Sequence, residues 1–244
     1  MATPSLLLLL ADGRFPAGAH AHSGGLEAAV VAGRVTDLVT LEAFLAGRLA
    51  TAGLVGAAFA AAAHRTAAPG AVGSAHPARS GVLADPAVRS QALARLDAEL
   101  DARTAAPALR AVSRRQGRAL LRAGRAIFPD APFADLPATP GGAHQPLVLG
   151  LLCAAAGLSR VETATIAAYG TVTGAASAGV RLLGLDPYRV QALLVGLADA
   201  CDGTAADAAR AADGPPERLP AAAAPLADIH AEIHATWEVR LFAS

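Results

Sequence analysis

The chain of 244 residues lacks lysine and asparagine altogether, and it holds only two cysteines, one methionine and one tryptophan. Lysine and asparagine are encoded by A-rich codons, so their joint absence indicates a GC-biased genome. The surplus of alanine, about a quarter of the chain, has the same origin, so no single alanine indicates a function. Cys153 and Cys201 lie far apart without a Cys-x-x-Cys pattern, which argues against a disulfide scaffold and against a zinc site.

Charge is also scarce, since only 16% of the residues are charged and the 20 basic side chains balance the 20 acidic ones. A net charge of zero removes the usual electrostatic case for binding nucleic acid or an anionic membrane. A surface with so few charges is prone to associate. We therefore expect a partner or a second subunit to cover part of it.

Long apolar runs are missing too, although the mean hydropathy of +0.42 is high. The longest strictly apolar stretch, residues 147–158, is shorter than the ~20 residues that a membrane-spanning helix needs. Residues 163–180 carry no charge, but their Thr, Ser, Gly and Ala content is typical of a tightly packed helix. The leucines at positions 6–10 lack the basic segment of a signal peptide. The sequence predicts a cytoplasmic protein that is not in a membrane.

Helix signals recur along the chain, whereas the alternation typical of strands is nearly absent. A capping side chain, often followed by proline at the first helical position, predicts where several helices begin. These signals are Ser23, Thr40, Asp85-Pro86, Ser159-x-x-Glu162 and Asp186-Pro187. The longest helix is predicted to run from Thr40 to His64. The pattern predicts an all-α fold of eight or nine helices.

Composition divides the chain into one compact, bundle-like helical domain and a C-terminal extension. The domain is predicted over residues 1–212, with loops rich in proline and glycine at 66–84 and 128–143. Residues 213–225 read as a linker. Residues 226–244 are predicted to form an amphipathic helix and a tail that docks on its own domain or on another protein, because their apolar residues would otherwise fray at a chain end.

Two histidine clusters are candidate metal ligands. His20, His22 and Glu27 offer imidazole and carboxylate groups that suit Ni²⁺ or Zn²⁺, but alternate residues of a loop need not converge. His230 and His234 share one helix face, yet they do not form His-Glu-x-x-His. We favour hydrogen-bonding or solvated roles for all four histidines and predict no metal site.

Arginines suggest two further features. The series Arg110, Arg114, Arg115, Arg118, Arg122 and Arg125 lacks interleaved aromatics, so a solvated or partner-facing helix is favoured over a nucleic-acid stripe. Arg181 ends the uncharged helix and is expected either to bond within the fold or to contact a partner. Gly170, Gly174 and Ala178 of that helix, spaced four residues apart, would let another helix approach closely.

Catalytic motifs are missing from the chain. The glycine-rich N-terminal turn matches neither a phosphate-binding loop nor a dinucleotide fingerprint, and no Gly-x-Ser-x-Gly elbow occurs. The sequence therefore predicts a protein that is not an enzyme, with no catalytic residue and no cofactor.

Four segments, in order from one end of the chain to the other, form a recognisable set. After the leucine run, the first segment contains Pro16, Gly18, His22, Ser23, Gly25, Leu26 and Glu27. The others are His144-x-Pro-x-x-x-Gly150, Arg181-Leu followed by Gln191, and His234-x-Thr followed by Arg240, Leu241, Phe242 and Ser244. Together they resemble the UreF family of urease accessory proteins. The positions that depart from the family pattern are His20, Gly24, Gly184, Asp186, Pro187, Ala235 and Ala243.

The resemblance implies an all-helical, homodimeric scaffold without catalytic activity that serves as a urease maturation factor. Such a scaffold links UreD (also called UreH) and the nickel-carrying GTPase UreG to the urease apoprotein, so that nickel reaches the urease active site. It further implies that the tail, with Arg240 and Phe242, meets UreD, and that the turn at residues 16–27 lies near UreG. The partner-binding residues would be those of the first segment, Arg181, Arg240, Leu241, Phe242 and Ser244.

A different class of function remains as the alternative. A small metal-dependent hydrolase or nickel-binding protein would use His20, His22, His230 and His234. Tight, stoichiometric binding of Ni²⁺ or Zn²⁺ by the isolated protein would favour this alternative over the scaffold. A membrane-associated helical protein is a third, less supported class.

Overall fold

The computed structural model describes residues 4–18, 21–67 and 85–243. Within them the chain is all-helical, with ten helices and no strand, which confirms the predicted fold class and exceeds the eight or nine helices expected. The helices are α1 Pro4–Ala11, α2 Leu26–Val31, α3 Leu38–Ala67, α4 Pro86–Arg103, α5 Pro107–Ile127, α6 Gln145–Ala155, α7 Arg160–Leu183, α8 Pro187–Gly196, α9 Ala198–Ala211 and α10 Pro225–Ala235. Most of the predicted loop at 66–84, together with His20 and Ser244, lies outside the described residues.

Three of the predicted helix starts are confirmed. Asp85 and Asp186 each accept a hydrogen bond from the backbone N–H of the second residue of the helix they precede, Ala87 and Tyr188, at 2.8 and 2.9 Å. At α7 the capping box is complete, because Ser159 Oγ accepts from the N–H of Glu162 and the Glu162 carboxylate accepts from the N–H of Ser159. These signals act over two or three residues, so local sequence is enough to reveal them.

Two predicted caps are wrong in detail. Helix α3 is capped by Asp37, whose carboxylate accepts from the Thr40 N–H at 2.8 Å, while the Thr40 hydroxyl oxygen accepts from the Asp37 N–H. Thr40 is thus the third residue of the helix and the reciprocal member of the box. Ser23 does not directly precede α2 either, although its hydroxyl oxygen accepts from the N–H of Glu27 at 3.2 Å.

Helix α3 is the centre of the bundle. It continues through a π-helical turn at Leu49–Gly53, and ten of the residues in its last segment, Leu54–Ala67, are buried. By length and composition it is the one helix of the described ranges that could cross a membrane. Its C-terminal half is instead enclosed by α6, α7 and α9, which identifies it as the core helix.

The uncharged helix α7 has one buried face and one open face. Ala164, Ala168 and Ala175 are buried against the core, whereas a side chain added at Gly170 or Gly174 would meet no atom within 4 Å. Of the small-residue face predicted from the four-residue spacing, Gly170 and Gly174 are therefore open within the described residues, whereas Ala178 is buried. Contrary to expectation, α7 is not enclosed on all sides.

The predicted linker runs along the surface of α4. Arg103 of α4 donates to the carbonyl oxygens of Pro216 and Glu217 at 3.3 and 3.0 Å, and Leu219 is buried. A short 3₁₀ turn, Pro216–Arg218, forms at this contact. The division into a domain, a linker and a tail stays a prediction from composition.

Candidate functional site

Glu27 lies at the centre of a buried junction between the two ends of the chain. The turn before α2 places Gly24 at φ +64° and Gly25 at φ +88°, a left-handed conformation that glycine adopts without steric cost. This turn directs the carboxylate of Glu27, in the first turn of α2, inward. Its side chain is only 7% exposed.

Three donors from the C-terminal segment converge on this carboxylate. The ring Nε2 of His234, at the end of α10, is 2.9 Å from Oε2, and the His234 side chain is 5% exposed. The backbone N–H groups of Leu241 and Phe242 donate to Oε1 and Oε2 at 2.8 and 3.1 Å. Because the acceptor is ionised, each bond is stronger than a bond between neutral groups.

The electrostatics of the junction agree with an ionised Glu27. Burial by itself raises the pKa of this carboxyl, but the hydrogen bonds from His234, Leu241 and Phe242 together outweigh it, so its pKa lies below the usual range. The ionised form is therefore the one that the fold selects.

The tail beyond the carboxylate is held at three more points, one of them a hydrogen bond of 3.5 Å from Arg115 of α5 to the carbonyl oxygen of Ala243. The N–H of Ala243 donates to the carbonyl oxygen of Ala21 at 2.7 Å. The ring of Phe242 is buried, and the guanidinium carbon of Arg181 lies 4.3 Å from its centroid, a cation–π geometry. Three of the segments that the resemblance singled out, far apart in sequence, thus meet at one place.

Beside this anchor, the chain exposes apolar groups. Val239 and Leu241 are 87% and 74% exposed, and Arg240 between them is exposed as well. On α10, Leu226, Ile229 and Ile233 also face outward, while His234 of the same helix faces inward. Helical periodicity correctly identified an amphipathic helix, but it is the polar His234 that lies against the bundle.

A second buried network holds the segment that begins at His144. Nδ1 of its ring is 2.9 Å from Ser113 Oγ, and Nε2 is 2.8 Å from Asp101 Oδ1. Its backbone N–H donates to Asp97, which also pairs with Arg114 at 2.9 Å. The bonds link serine, histidine and aspartate in the order of a catalytic triad. Ser113 Oγ, however, also accepts a hydrogen bond of 3.4 Å from the backbone N of Gln145, so this serine is engaged within the fold. We interpret the network as a polar link between α4, α5 and the start of α6.

Two buried histidines make the stability of the fold pH-dependent. Burial lowers the pKa of His64 and of His144 below the usual 6.5, although a hydrogen bond to Leu158 in one case and Asp101 in the other opposes it. Since both are neutral in the folded chain, their contribution is fully present above pH 6.5 and is lost as the pH falls toward their folded pKa values. We expect the free energy of unfolding to fall between pH 6.5 and 5.5 by up to about 1 kcal/mol for each histidine.

Urea denaturation at pH 7.5, 6.5 and 5.5 measures this loss. The His64→Asn variant should show a shallower decrease than the unsubstituted chain over the same interval. An equal decrease in both proteins would exclude His64 as a source of the pH dependence.

The histidines of the metal hypothesis are not assembled into a ligand set within the described ranges. His234 is engaged by Glu27, and His22 and His230 line a cavity beside α10. No group of three or more His, Cys, Asp or Glu side chains in residues 4–18, 21–67 and 85–243 could hold a metal ion. The alternative of a metal-dependent hydrolase is not favoured.

Most of the arginine series on α5 serves the fold itself. Three members bond to neighbouring segments: Arg110 donates to the carbonyl oxygens of Thr104 and Ala105, Arg114 pairs with Asp97, and Arg118 donates to the carbonyl oxygen of Gly141. Arg115 is exposed but donates to the carbonyl oxygen of Ala243 in the tail at 3.5 Å, and Arg122 and Arg125 are exposed. The expected solvated or partner-facing helix is thus only partly correct, because four of its cations tie α5 to other segments.

Comparison with known proteins extends the motif match to the whole chain. The UreF family model matches residues 35–198, which is more than half of the sequence. The chain belongs to the UreF family. Relatives named urease accessory protein UreF, from Mycolicibacterium vanbaalenii and Mycobacterium sp. strain JLS, are 42% and 43% identical over 244 residues, the full length of both chains in each case. The relative from Mycobacterium tuberculosis H37Rv is 43% identical over 209 residues, 85% of this chain and 86% of its own.

The structure brings only part of the predicted UreF site together. Ser23, Leu26 and Glu27 are buried at or just before the start of α2, and Glu27 meets the tail at Leu241 and Phe242. Pro16 is exposed, and Gly18 and His22 are half-buried in the chain leading to that turn. Residues Ala21 and His234 also belong to the junction and were not predicted for it. Their bonds span most of the chain, so spacing carries no signal for them.

Several departures from the UreF pattern have local structural reasons. Gly184 ends α7 at φ +62°, and Asp186 then caps α8 with Pro187 at its first position. These three residues form a sharp junction between two helices. Ala235 is the last residue of α10, and Ala243 reaches Ala21 through its backbone, so neither needs a longer side chain for these contacts.

Proposed function

We propose that the chain is a non-enzymatic, homodimeric scaffold of urease maturation in the cytoplasm. It would link UreD (UreH) and the GTPase UreG to the urease apoprotein, so that GTP hydrolysis is coupled to delivery of Ni²⁺ to the urease active site. Membership of the UreF family and full-length similarity to proteins named urease accessory protein support the role in maturation. Nickel is here the cargo and not a resident cofactor.

The observation that carries the proposal is the junction at Glu27. It joins the N-terminal turn, assigned to UreG, with the C-terminal tail, assigned to UreD. Phe242 serves as the buried anchor of the tail, with Arg181 stacked on its ring. Arg240 and Leu241 then project outward beside it and offer a charged and an apolar contact. Because both surfaces share one buried carboxylate, binding at one is positioned to affect the other.

The apolar face of α10 extends this surface. Leu226, Ile229 and Ile233 are 44%, 57% and 49% exposed and lie on the helix that leads into the tail. Exposed apolar groups at one place are typical of protein interfaces. We propose that UreD covers this face together with Arg240 and Leu241, while Pro16, Gly18, His22, Ser23, Gly25 and Leu26 shape the surface for UreG.

Dimerisation would use another part of the surface. Tyr188 and Val195 on α8 are 85% and 76% exposed, and they follow the open glycine face of α7. Small residues let a second helix approach closely, and the exposed aromatic ring supplies an apolar contact. Pairing of two chains through these helices would leave α10 and the tail free for UreD.

Co-purification with UreD tests the proposal. Truncation of residues 240–244 should abolish the complex while leaving the helical circular dichroism unchanged. The double variant Arg240→Ala, Leu241→Ser keeps the Phe242 anchor and should still weaken binding, at about 2 kcal/mol, or roughly thirtyfold in Kd, for each central contact. Arg189→Ala on α8 is the matched control and should bind normally. Unchanged binding of UreD by the truncated chain would refute the role of the tail.

A further inference from the structure

A cavity of about 710 Å³ lies between α3, α5 and the segment leading into α10. The N-terminal turn closes one side, and Ala222–Ala224 with Leu226 and Ala227 pass over another. This volume falls within the ~300–1,000 Å³ of small-molecule sites. The cavity shares His22, Gly25 and Leu226 with the surfaces proposed above for UreG and UreD, but its main wall lies deeper, on α3 and α5.

Most of the wall is apolar. Phe44 and Val55 of α3 face Leu109 and Val112 of α5 across the cavity, and alanine and glycine residues fill much of the remaining lining. Such a wall suits an aliphatic or aromatic body, because it offers surface from which water is readily displaced.

Arg48, a partly buried cation in this wall, has no acidic side chain at ion-pair distance among the described residues. The Nε of Arg48 is out of contact with water and makes no hydrogen bond, and the side chain is only partly exposed. Burial lowers the pKa of Arg48 to about 10, and no neighbouring charge contributes to the shift. A guanidinium that is taken out of water without a carboxylate destabilises the fold. Arg103, which lines the same cavity, differs because it is paired with Glu99 at 2.5 Å.

The guanidinium of Arg48 is also held in place. It donates to the carbonyl oxygen of Gly24, and its carbon lies 5.9 Å from the centroid of the Phe44 ring. A Cβ at Gly24 would lie 2.8 Å from Nη2, so the glycine makes room for this arrangement. The Nη groups of a positioned guanidinium are the usual recognition element for a carboxylate.

We propose that this cavity binds a small amphipathic monocarboxylate, with the carboxylate on Arg48 and the apolar body between α3 and α5. A single negative charge fits better than a phosphate, because an apolar wall and the carboxylate of Asp228 at the rim disfavour additional charge. The ligand supplies the countercharge that the chain itself does not place there. The inference is independent of the scaffold function, so that failure of either leaves the other standing.

Calorimetry with the full chain and decanoate, below its micelle concentration, tests the proposal. Decanoate should bind with one-to-one stoichiometry, and its neutral amide, decanamide, should bind at least tenfold more weakly. Arg48→Gln should weaken decanoate binding by roughly tenfold or more, since a hydrogen-bonded charge pair is lost. Gly47→Leu, which places a side chain in the cavity where a Cβ has open space, should also weaken it.

Arg34→Gln is the matched control, because Arg34 lines the same cavity but is exposed at its rim. Its effect should stay below twofold. Thermal unfolding of Arg48→Gln confirms that the variant is folded. The proposal is overturned if decanoate does not bind, if acid and amide bind equally, or if the two arginine variants weaken binding to the same extent.

Discussion

Replacement of Glu27 by alanine is expected to release the C-terminal tail. The substitution removes the acceptor of three hydrogen bonds, from His234 Nε2 and from the N–H groups of Leu241 and Phe242. Each bond to a charged group contributes about 1.5–3 kcal/mol. Because the tail can detach and hydrate its own N–H groups, the loss in the global free energy of unfolding is limited to about 3 kcal/mol, below the sum of the three.

Amide hydrogen exchange at Leu241 and Phe242 distinguishes detachment of the tail from destabilisation of the whole chain. Both amides should be protected in the unsubstituted chain and exchange freely in Glu27→Ala. Glu42→Ala, at an exposed glutamate on α3, is the control and should change stability by less than about 0.5 kcal/mol. Protection that persists at both amides in Glu27→Ala would mean that other contacts hold the tail. In that case the carboxylate would not be the link between the two ends.

Loss of the tail has a functional consequence under the proposed scaffold role. Glu27→Ala leaves Arg240, Leu241 and Phe242 in the chain, but it no longer positions them. UreD binding should therefore weaken in this variant as it does in the truncation, although every proposed contact residue is present. Normal binding with a freely exchanging tail would show that UreD itself orders the segment without Glu27.

Replacement of Gly150 by alanine is expected to destabilise the chain by about 3 kcal/mol or more. A Cβ at this position of α6 would overlap the carbonyl oxygen of Ala60 and lie 2.7 Å from both the Cβ of Ala63 and the N of His64. The obstacles are backbone atoms of the central helix α3, which cannot turn aside as a flexible side chain can. Overpacking of a well-packed core costs about 1–3 kcal/mol, and a backbone overlap lies at the upper end of that range or beyond it.

The same chain provides the matched control for this substitution. Gly203→Ala on α9 makes the same chemical change where no described atom lies within 4 Å, away from the helices proposed for pairing. Alanine costs less conformational entropy than glycine in a helix, so this variant should stabilise the chain by about 0.5–1 kcal/mol. Urea denaturation measures both variants. Equal effects at Gly150 and Gly203 would contradict the close packing of α6 on α3.

Features that depend on neighbours in the sequence were predictable. The capping residues of α4, α7 and α8 and the all-helical class follow from interactions over a few residues, and they are confirmed. The errors at Ser23 and Thr40 are shifts of two or three positions within the same local signals. Helix periodicity also revealed that α10 is amphipathic. It could not reveal which face meets the bundle, since that depends on what the bundle offers.

The candidate site, in contrast, depends on residues that are far apart in the sequence. Glu27 and His234 are 207 positions apart, so no spacing rule connects them, and Arg48 appears unremarkable on α3 until its neighbours are known. The family motif marked Glu27, Arg181, Leu241 and Phe242 one by one without indicating that they touch. His144 was likewise recognised as a motif residue, but its bonds to Ser113 and Asp101 come from two other helices.

The sequence by itself determined that this chain is helical, that it carries no net charge, and that it resembles a family whose motifs lie at both ends of the chain. The charge balance and the capping signals were sufficient for the first two, because they act through composition and through contacts a few residues long, and the four motif segments carried the resemblance to the family. Only the tertiary structure decided that a buried carboxylate joins the two ends and that the partly buried Arg48 has no countercharge from the residues the structure describes. Burial and pairing depend on which distant side chains the packing brings within hydrogen-bonding distance, and packing is a property of the whole chain.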